Sequence, residues 1–395
     1  MRKVAFAARA KRPRADGPFN DQTGLSFAYD SIPDPIPPQY SMESTEVRFM
    51  ATSDMAQAQS GTMQKTNRKL AIEEQIWQTL TDGTPVVLTS HQGLDPDGLG
   101  SALGLWHALR TQNVPCYQLY PPPLPEAYDF LPGVEEARYS ADALPGDFNL
   151  VMIDCGAFDR VGDLAGPFER ANTLINIDHH ATNDYFGDLC LVEENASSCG
   201  ELVYRIIEIA GVPVTKDAAE CIYAAILSDT GKFTYHNTNA EVFRICHKLV
   251  LAGTNPTKMA NRIYASPTLA EVRLKAEAVK TLDFKDEGKI GLMRITEEMF
   301  RNVGLDPVDC HGFADIPASV RGVEVGVLLK EMPEEDYIDI SLRSRDHVDV
   351  CQVAGTFGGG GHRHAAGCEI VADLDEAQEM LVQTIRRQIE KDLGC

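Results

Sequence analysis

Histidine and aspartate side chains, which proteins use to bind divalent metal ions, are grouped at four places in this sequence. The groups are His91 with Asp95 and Asp97, then Asp154, then the triplet Asp178-His179-His180, and finally Asp229. Each group alone has an ordinary explanation, because aspartates commonly cap helices or close turns. Together they offer the imidazole and carboxylate ligands, including one carboxylate to bridge, that two neighbouring divalent cations require.

The triplet at 178–180 contributes either His179 or His180 to such a metal centre, because adjacent side chains on extended backbone point to opposite faces. The other histidine would then contact the substrate. Mixed nitrogen and oxygen ligands favour Mn²⁺, whereas a cage of oxygen ligands alone would favour Mg²⁺ or Ca²⁺. The sequence therefore predicts two divalent cations, with Mn²⁺ preferred over Mg²⁺.

Three of the four groups follow short apolar segments that are typical of buried strands. These segments are residues 85–90, 148–153 and 173–177. The fourth group, Asp229, follows a helix predicted at 217–227, where a negative charge is unfavourable unless a cation is close. Ligands of parallel α/β sheets bind beyond the carboxyl ends of the strands, so this placement supports one shared site.

The order of strands and helices predicts an α/β fold. Helical periodicity at 199–210, 217–227 and 240–251 alternates with the strands and indicates a parallel sheet with helices on both faces. The later part is richer in strands, with segments predicted at 289–295, 324–329 and 337–342, a glycine-rich loop and a C-terminal helix at 375–393. This later pattern favours a second, smaller α/β domain.

The chain has 395 residues, which exceeds the usual size of one hydrophobic core. Residues 1–66 lack periodicity, and their composition is typical of disorder. Initiation at Met42, Met50, Met55 or Met63 would retain every later motif. We predict a disordered extension at 1–66, a metal-binding catalytic domain at 67–255, a helical linker at 256–285 and a substrate-binding domain at 286–395.

The formal net charge of −22 argues against a protein that binds long duplex nucleic acid, because such binding depends on many Lys and Arg contacts to phosphate. A short anionic substrate is compatible, since bound cations reverse the local charge of an acidic site. No apolar run approaches the roughly 20 residues that span a bilayer. The ten cysteines form no CxxC pair, which is typical of free thiols in a reducing compartment. We expect a cytoplasmic protein without membrane segments, and the sequence leaves a homodimer open.

A second kind of motif is the glycine-rich stretch at 358–362, which ends in His362. Backbone N–H groups of glycines can approach an anion closely, and His362 adds a charge-assisted donor. Upstream, Arg343 can bind a phosphate through two parallel hydrogen bonds. A passive flexible turn is the alternative, although so many glycines beside histidine and two alanines are unusual for one.

The four groups, in this order, resemble motifs I to IV of the DHH phosphoesterase superfamily, which is named for the triplet found here at 178–180. The resemblance spans about residues 69–240. The stretch 354–367 resembles the GGGH signature of the DHHA1 substrate domain. One departure is Leu94, where family members commonly carry proline before the first aspartate. This chain has Pro96 instead but keeps the His-x₃-Asp-x-Asp spacing.

The resemblance implies a role for each of these residues. One metal ion would be bound by His91, Asp95 and Asp154, and the second by Asp97, Asp154, His179 and Asp229. Within the triplet, His180 would face the substrate, to orient or protonate it, and Asp178 would support the site from behind. The substrate would be held by Arg343, Ser344, Gly359, Gly360, Gly361 and His362.

Among DHH proteins, the chain most resembles the bifunctional nanoRNase and pAp phosphatase group. This implies a hydrolase of phosphoester bonds that uses water activated by two metals. Its substrates would be short single-stranded oligonucleotides, cleaved as by an exoribonuclease, and 3′-phosphoadenosine 5′-phosphate (pAp). The alternative is a phosphodiesterase for cyclic or linear dinucleotides. A non-catalytic nucleotide-binding protein ranks lower because all expected ligands are present, and a pyrophosphatase because those relatives lack the GGGH signature.

Overall fold

The computed structural model of the chain describes residues 70–264, 267–305, 310, 312–332, 336–345 and 347–394. The disordered extension predicted at 1–66 lies outside the described residues. None of the helices within these ranges is long and apolar enough to cross a lipid bilayer.

The first sheet is parallel throughout, as predicted. Its strands are β1 (Val86–Thr89), β2 (Cys116–Gln118), β3 (Asn149–Ile153), β4 (Thr173–Asp178) and β5 (Leu189–Val192). They lie in the order β2-β1-β3-β4-β5, and each neighbouring pair is parallel. The edge strands β2 and β5 were not among the predicted segments, because three or four residues carry too little periodicity to be recognised.

Helices cover both faces of this sheet, which confirms the predicted class. They are α1 (Ile72–Leu80), α2 (Pro96–Thr111), α3 (Ala165–Phe168), α4 (Cys199–Ile209), α5 (Lys216–Asp229), α6 (Ala240–Leu251) and α7 (Pro256–Tyr264). Strand side chains alternate between the faces. Leu88 and Ile153 pack with α2, α4 and α5, whereas Leu150 and Met152 pack with the segment that ends at Phe168.

Two glycines of α2 allow α5 to pack closely against it. A Cβ atom at Gly100 would lie 2.5 Å from the carbonyl oxygen of Cys221, and one at Gly104 would lie 2.5 Å from Cγ1 of Ile222. The helices are antiparallel, so the start of α2 lies beside the end of α5. This packing brings the aspartates that begin α2 close to Asp229, which ends α5.

The second sheet lies in the C-terminal part and is mixed, as expected for a smaller α/β unit. Its strands are β6 (Asp283–Lys285), β7 (Ile290–Ile295), β8 (Val325–Glu331), β9 (Ile338–Ser344), β10 (Gly360–His362) and β11 (Ala365–Ile370), in the order β10-β11-β9-β8-β7-β6. Its helices are α8 (Leu269–Val279), α9 (Glu297–Val303), α10 (Asp315–Ser319), α11 (Val350–Gly355) and α12 (Leu374–Leu393). Helices α11 and α12 cover one face, and α8 and α9 cover the other.

Two segments differ from their predicted conformations. The glycine-rich stretch is not simply a loop, because β10 pairs with β11 in an antiparallel ladder. Gly359 permits this close approach, since a Cβ atom there would lie 2.1 Å from the carbonyl oxygen of Gly367. The stretch 256–285, predicted as a helical linker, contains α7 and α8 but ends in strand β6, which already belongs to the second sheet.

Candidate active site

The loop between β1 and α2 carries the first group of predicted ligands. Asp95 is the N-cap of α2, and its Oδ1 accepts a hydrogen bond from the N–H of Gly98 at 2.9 Å. Pro96 lies in the first turn of α2, where a missing backbone N–H leaves no helical hydrogen bond unmade. The replacement of proline by Leu94 is therefore compatible with a helix that starts at this point and fixes Asp95.

Asp97 is buried at the N-terminus of α4. Its carboxylate accepts hydrogen bonds from the backbone N–H groups of Cys199 and Gly200 at 2.8 and 3.1 Å, and from the hydroxyl of Ser101 at 3.0 Å. Helix N-termini stabilise negative charge. These contacts fix the carboxylate with Oδ2 only 3.4 Å from Nε2 of His179.

Asp154 lies at the centre of the group. It follows β3 and adopts a φ of +60°, which is uncommon for a residue other than glycine. In this conformation its carboxylate contacts three imidazoles, at 3.4 Å from Nε2 of His91, 3.5 Å from Nδ1 of His180 and 3.8 Å from Nε2 of His179. A carboxylate in this position is suited to bridge two cations.

Backbone carbonyls fix the rings of His91 and His179. Nδ1 of each ring lies within hydrogen-bonding distance of a carbonyl oxygen, at 2.7 Å for His91 and 3.2 Å for His179. A carbonyl can only accept, so Nδ1 carries a proton in each ring, and Nε2 is the nitrogen that faces the carboxylates. Nε2 of His91 faces Asp154, and Nε2 of His179 lies 3.0 Å from Oδ2 of Asp229. Metal-binding histidines are commonly oriented in this way.

The other two residues of the triplet form a pair of their own. Nδ1 of His180 lies 2.8 Å from Oδ1 of Asp178, which is fully buried. Oδ2 of Asp178 accepts a hydrogen bond from Nδ2 of Asn183 at 2.6 Å. Asp178 therefore orients the His180 ring, while Nε2 of His180 is left for a ligand in the cleft.

Asp229 is the last residue of α5 and faces His179 across the centre. Its backbone carbonyl accepts a hydrogen bond from Nδ2 of Asn237 at 3.0 Å, and the same amide nitrogen lies 2.8 Å from the carbonyl oxygen of Ser197. Asn237 therefore ties the end of α5 to the segment before α4.

The charges in this centre are not balanced by the side chains around them. Burial, with the charges of Asp229 and Asp154, raises the pKa of Asp97 well above its usual range. Burial would lower the pKa of His179, but attraction to the surrounding aspartates raises it. Within the described ranges, the buried Nε2 of His179 makes no hydrogen bond of good geometry, although Oδ2 of Asp229 lies 3.0 Å away. Divalent cations bind to closely spaced carboxylates and imidazole nitrogens, and they offset the negative charge of the carboxylates. These residues therefore fit metal ions.

The second sheet closes one side of a cleft above this centre. Asp95, Asp154, His180 and Asp229 line it on one side, and Arg343, Gly360, Gly361 and His362 are among the residues on the other. The cleft has a volume of about 490 Å³. The rings of His362 and His180 stack with centroids 4.4 Å apart.

The other residues predicted to hold substrate lie nearby but differ in their contacts. The hydroxyl of Ser344 donates to the carbonyl oxygen of Val348 at 2.6 Å and lies 2.9 Å from Nδ1 of His364. Gly359 lies against β11. These two residues support the cleft wall that Arg343 and His362 line.

Sequence patterns did not identify three of the supporting residues. Asn237 and Cys199 contact partners that are distant in sequence, through a side-chain amide and a backbone N–H. Asn183 donates its amide to Asp178, only five residues before it. Their only signal was a polar or small residue near a motif, which is common in any loop.

The DHH family, N-terminal domain, matches residues 85–226, and the DHHA1 domain matches residues 295–391. The bifunctional oligoribonuclease and PAP phosphatase NrnA of Thermus thermophilus is 31% identical to this chain over 78% of its length and 91% of that protein. The chain belongs to the DHH phosphoesterase family. It is thus a hydrolase that acts on phosphoester bonds, as predicted, and this family is metal-dependent.

Two further relatives cover most of the chain. The Bacillus subtilis protein of the same name is 26% identical over 78% of this chain and 96% of that protein. Among solved structures, an exopolyphosphatase-related protein from Bacteroides fragilis has a TM-score of 0.74 and 26% identity, covering 80% of this chain and 96% of that one. Both relatives are therefore matched over nearly their whole length.

Proposed function

We propose that this DHH phosphoesterase hydrolyses short oligonucleotides and pAp. The observation that carries the proposal is the cleft of about 490 Å³ between the carboxylate centre and Arg343. Its volume lies in the lower half of the range for small-molecule sites, about 300–1,000 Å³. A nucleotide or the end of a short single strand suits such a space, and the net charge of −22 disfavours long duplexes.

The proposed metal ligands fall into two sets that share Asp154. One set is His91, Asp95 and Asp154, and the other is Asp97, Asp154, His179 and Asp229. The contacts at 3.0–3.9 Å between these carboxylates and the imidazole nitrogens support the grouping. Two divalent cations, for which we favour Mn²⁺ over Mg²⁺, would lower the pKa of a water molecule and offset negative charge on the phosphate.

The remaining residues act on the substrate. Asp178 holds His180 through Nδ1, so His180 orients the scissile phosphate or donates a proton to the departing oxygen from Nε2. Arg343 binds a phosphate oxygen through its guanidinium. The backbone N–H groups of Gly360 and Gly361, with His362, contact the same phosphate from the second sheet. Ser344 and Gly359 hold that wall in place.

Side-by-side turnover measurements test the proposal. The Mn²⁺-loaded protein is incubated with pAp, a linear dinucleotide, a cyclic dinucleotide and pyrophosphate, and the released phosphate or mononucleotide is measured. We expect hydrolysis of pAp and the linear dinucleotide, and its loss after chelation. Turnover of the cyclic dinucleotide alone would instead favour the phosphodiesterase alternative, and binding without any turnover would favour a non-catalytic protein.

A further inference from the structure

The segment that follows Asp229 has an unusual backbone. Left-handed φ angles of +52°, +64° and +65° occur at Gly231, Lys232 and Phe233, a region that residues other than glycine rarely adopt. The hydroxyl of Thr230 holds the turn, because it accepts a hydrogen bond from the N–H of Phe233 at 3.2 Å. The chain therefore reverses directly after a proposed metal ligand and leads to Tyr235.

Tyr235 connects this turn to the second sheet. Its ring lies against Gly231, where a Cβ atom would come within 2.4 Å of it. Its hydroxyl donates to Oδ1 of Asp315 at 3.3 Å, and the same oxygen lies 3.3 Å from Nε of Arg343. Burial and the charge of Asp315 raise the pKa of Tyr235 more than the adjacent guanidinium of Arg343 lowers it, so the hydroxyl keeps its proton and donates to Asp315.

The side chain of Arg343 needs a contact that keeps it away from the nearby carboxylates. The guanidinium lines the same cleft as three carboxylates of the proposed metal centre. A long arginine side chain beside carboxylates would pair with them and leave the place where a phosphate binds. Nε of Arg343 instead forms an ion pair with Oδ1 of Asp315 at 3.3 Å, without the geometry of a hydrogen bond. NH1 donates to the carbonyl oxygen of Leu342 at 3.0 Å. Arg343 lines the cleft, so other N–H groups of its guanidinium can reach a ligand there.

We infer that Tyr235 is a positioning residue for the reaction, which acts through Asp315 to fix the guanidinium of Arg343 against the substrate phosphate. The inference rests on the proposed function. Tyr235 is not among the described residues that line the cleft. Its hydroxyl fixes the carboxylate of Asp315, and that carboxylate in turn fixes the guanidinium of Arg343, as supporting residues do in precise binding sites.

The next residue, His236, also holds the segment, so the hydrogen bond of Tyr235 can be removed without unfolding the segment. His236 contacts the carbonyl oxygen of Arg345 through Nε2, and its ring centroid lies 4.5 Å from that of His364. The segment is therefore held against the second sheet at a second point. Tyr235→Phe removes one hydrogen bond to Asp315 without releasing the segment.

A double-mutant cycle tests the inference on the Mn²⁺-loaded full chain. Tyr235→Phe should raise the KM for pAp by about 3- to 10-fold, the worth of one hydrogen bond, with kcat within about twofold. Asp315→Asn should change KM in the same direction. In the Arg343→Lys background, which lacks Nε, Tyr235→Phe should have no further effect. Tyr204→Phe is the matched control, because the Tyr204 hydroxyl donates to Glu208 at 3.2 Å, in α4.

Each outcome decides one question. Equal KM values for Tyr235→Phe, Asp315→Asn and the wild type would overturn the inference while leaving the proposed function intact. An undiminished effect of Tyr235→Phe in the Arg343→Lys background would overturn it too. If Tyr235→Phe does not fold, Asp315→Asn gives the same comparison. A wild type without turnover of pAp and the dinucleotide would remove the proposed function, and the inference with it.

Discussion

The imidazole of His362, at the end of β10, stacks on the imidazole of His180, which follows β4, with centroids 4.4 Å apart and planes inclined by 21°. The contact joins the glycine-rich strand to the cluster of aspartates and histidines proposed to bind metal ions. Burial and the charges of His180 and His179 lower the pKa of His362 to about 4. A lowered pKa favours the neutral imidazole, which can still donate one hydrogen bond to a phosphate oxygen.

Loss of the His362 nitrogens should weaken substrate binding more than it slows the reaction. His362→Ala is expected to raise the KM for pAp by about 10-fold, because a hydrogen bond to phosphate is lost, with a smaller change in kcat. His362→Phe retains a ring against His180 and should raise KM equally. Steady-state kinetics of both variants measure this. A fall in kcat at unchanged KM would contradict the assignment.

Asp154 should be the residue whose charge both metal ions need. Asp154→Asn keeps the size of the side chain, and asparagine tolerates left-handed backbone. We expect hydrolysis of pAp to be lost and affinity for Mn²⁺ to fall by more than about 100-fold. Substitution of a residue that only supports a metal ligand lowers affinity by at most about 100-fold, so a larger loss indicates a direct ligand. Elemental analysis after gel filtration gives the metal content. Asp163→Asn, an exposed exchange, should change neither quantity. Two bound Mn²⁺ ions and full activity in Asp154→Asn would exclude a bridging role.

Sequence patterns identified the elements that have enough residues to show a period. Helix α6 was predicted with its observed ends, and β3 and β7 to within one residue at each end. The short strands β2 and β10 were not predicted, because their pairing depends on partners elsewhere in the chain. The glycines of β10 have no strand preference of their own.

The arrangement of the candidate site could also be predicted only in part from the sequence. Residue types at strand ends indicated which side chains converge, since parallel strands present their carboxyl ends at one edge. Residue types alone left open which histidine of the triplet would face the metal ions, whereas the family resemblance assigned His179. That depends on a backbone carbonyl near His179 and on the carboxylate of Asp178 beside His180, contacts that exist only once the chain has folded.

Substitutions at Gly359 and Gly360 can test the packing of the glycine-rich strand separately from its contact with a ligand. Gly359→Ala should destabilise the fold by about 1–3 kcal/mol, because its Cβ atom would lie 2.1 Å from the carbonyl oxygen of Gly367. At Gly360 a Cβ atom meets nothing within 4 Å, so Gly360→Ala should change stability by less than about 0.5 kcal/mol. Thermal unfolding compares the two. Gly360 lines the cleft, so Gly360→Ala should still raise the KM for pAp, and an unchanged KM would remove this backbone from phosphate binding.

Within the triplet, Asp178 should affect the reaction without binding a metal ion. Its Oδ1 lies 2.8 Å from Nδ1 of His180, and its Oδ2 accepts a hydrogen bond from Asn183. In Asp178→Asn the amide no longer has the charge that holds His180 in one orientation and stabilises its protonated form. We expect kcat for pAp to fall by about 10- to 100-fold, as for other residues behind a catalytic or metal-binding histidine, while the Mn²⁺ content stays that of the wild type. Kinetics and elemental analysis on the same preparation separate the two effects. Loss of bound Mn²⁺ in parallel with kcat would instead make Asp178 a metal ligand.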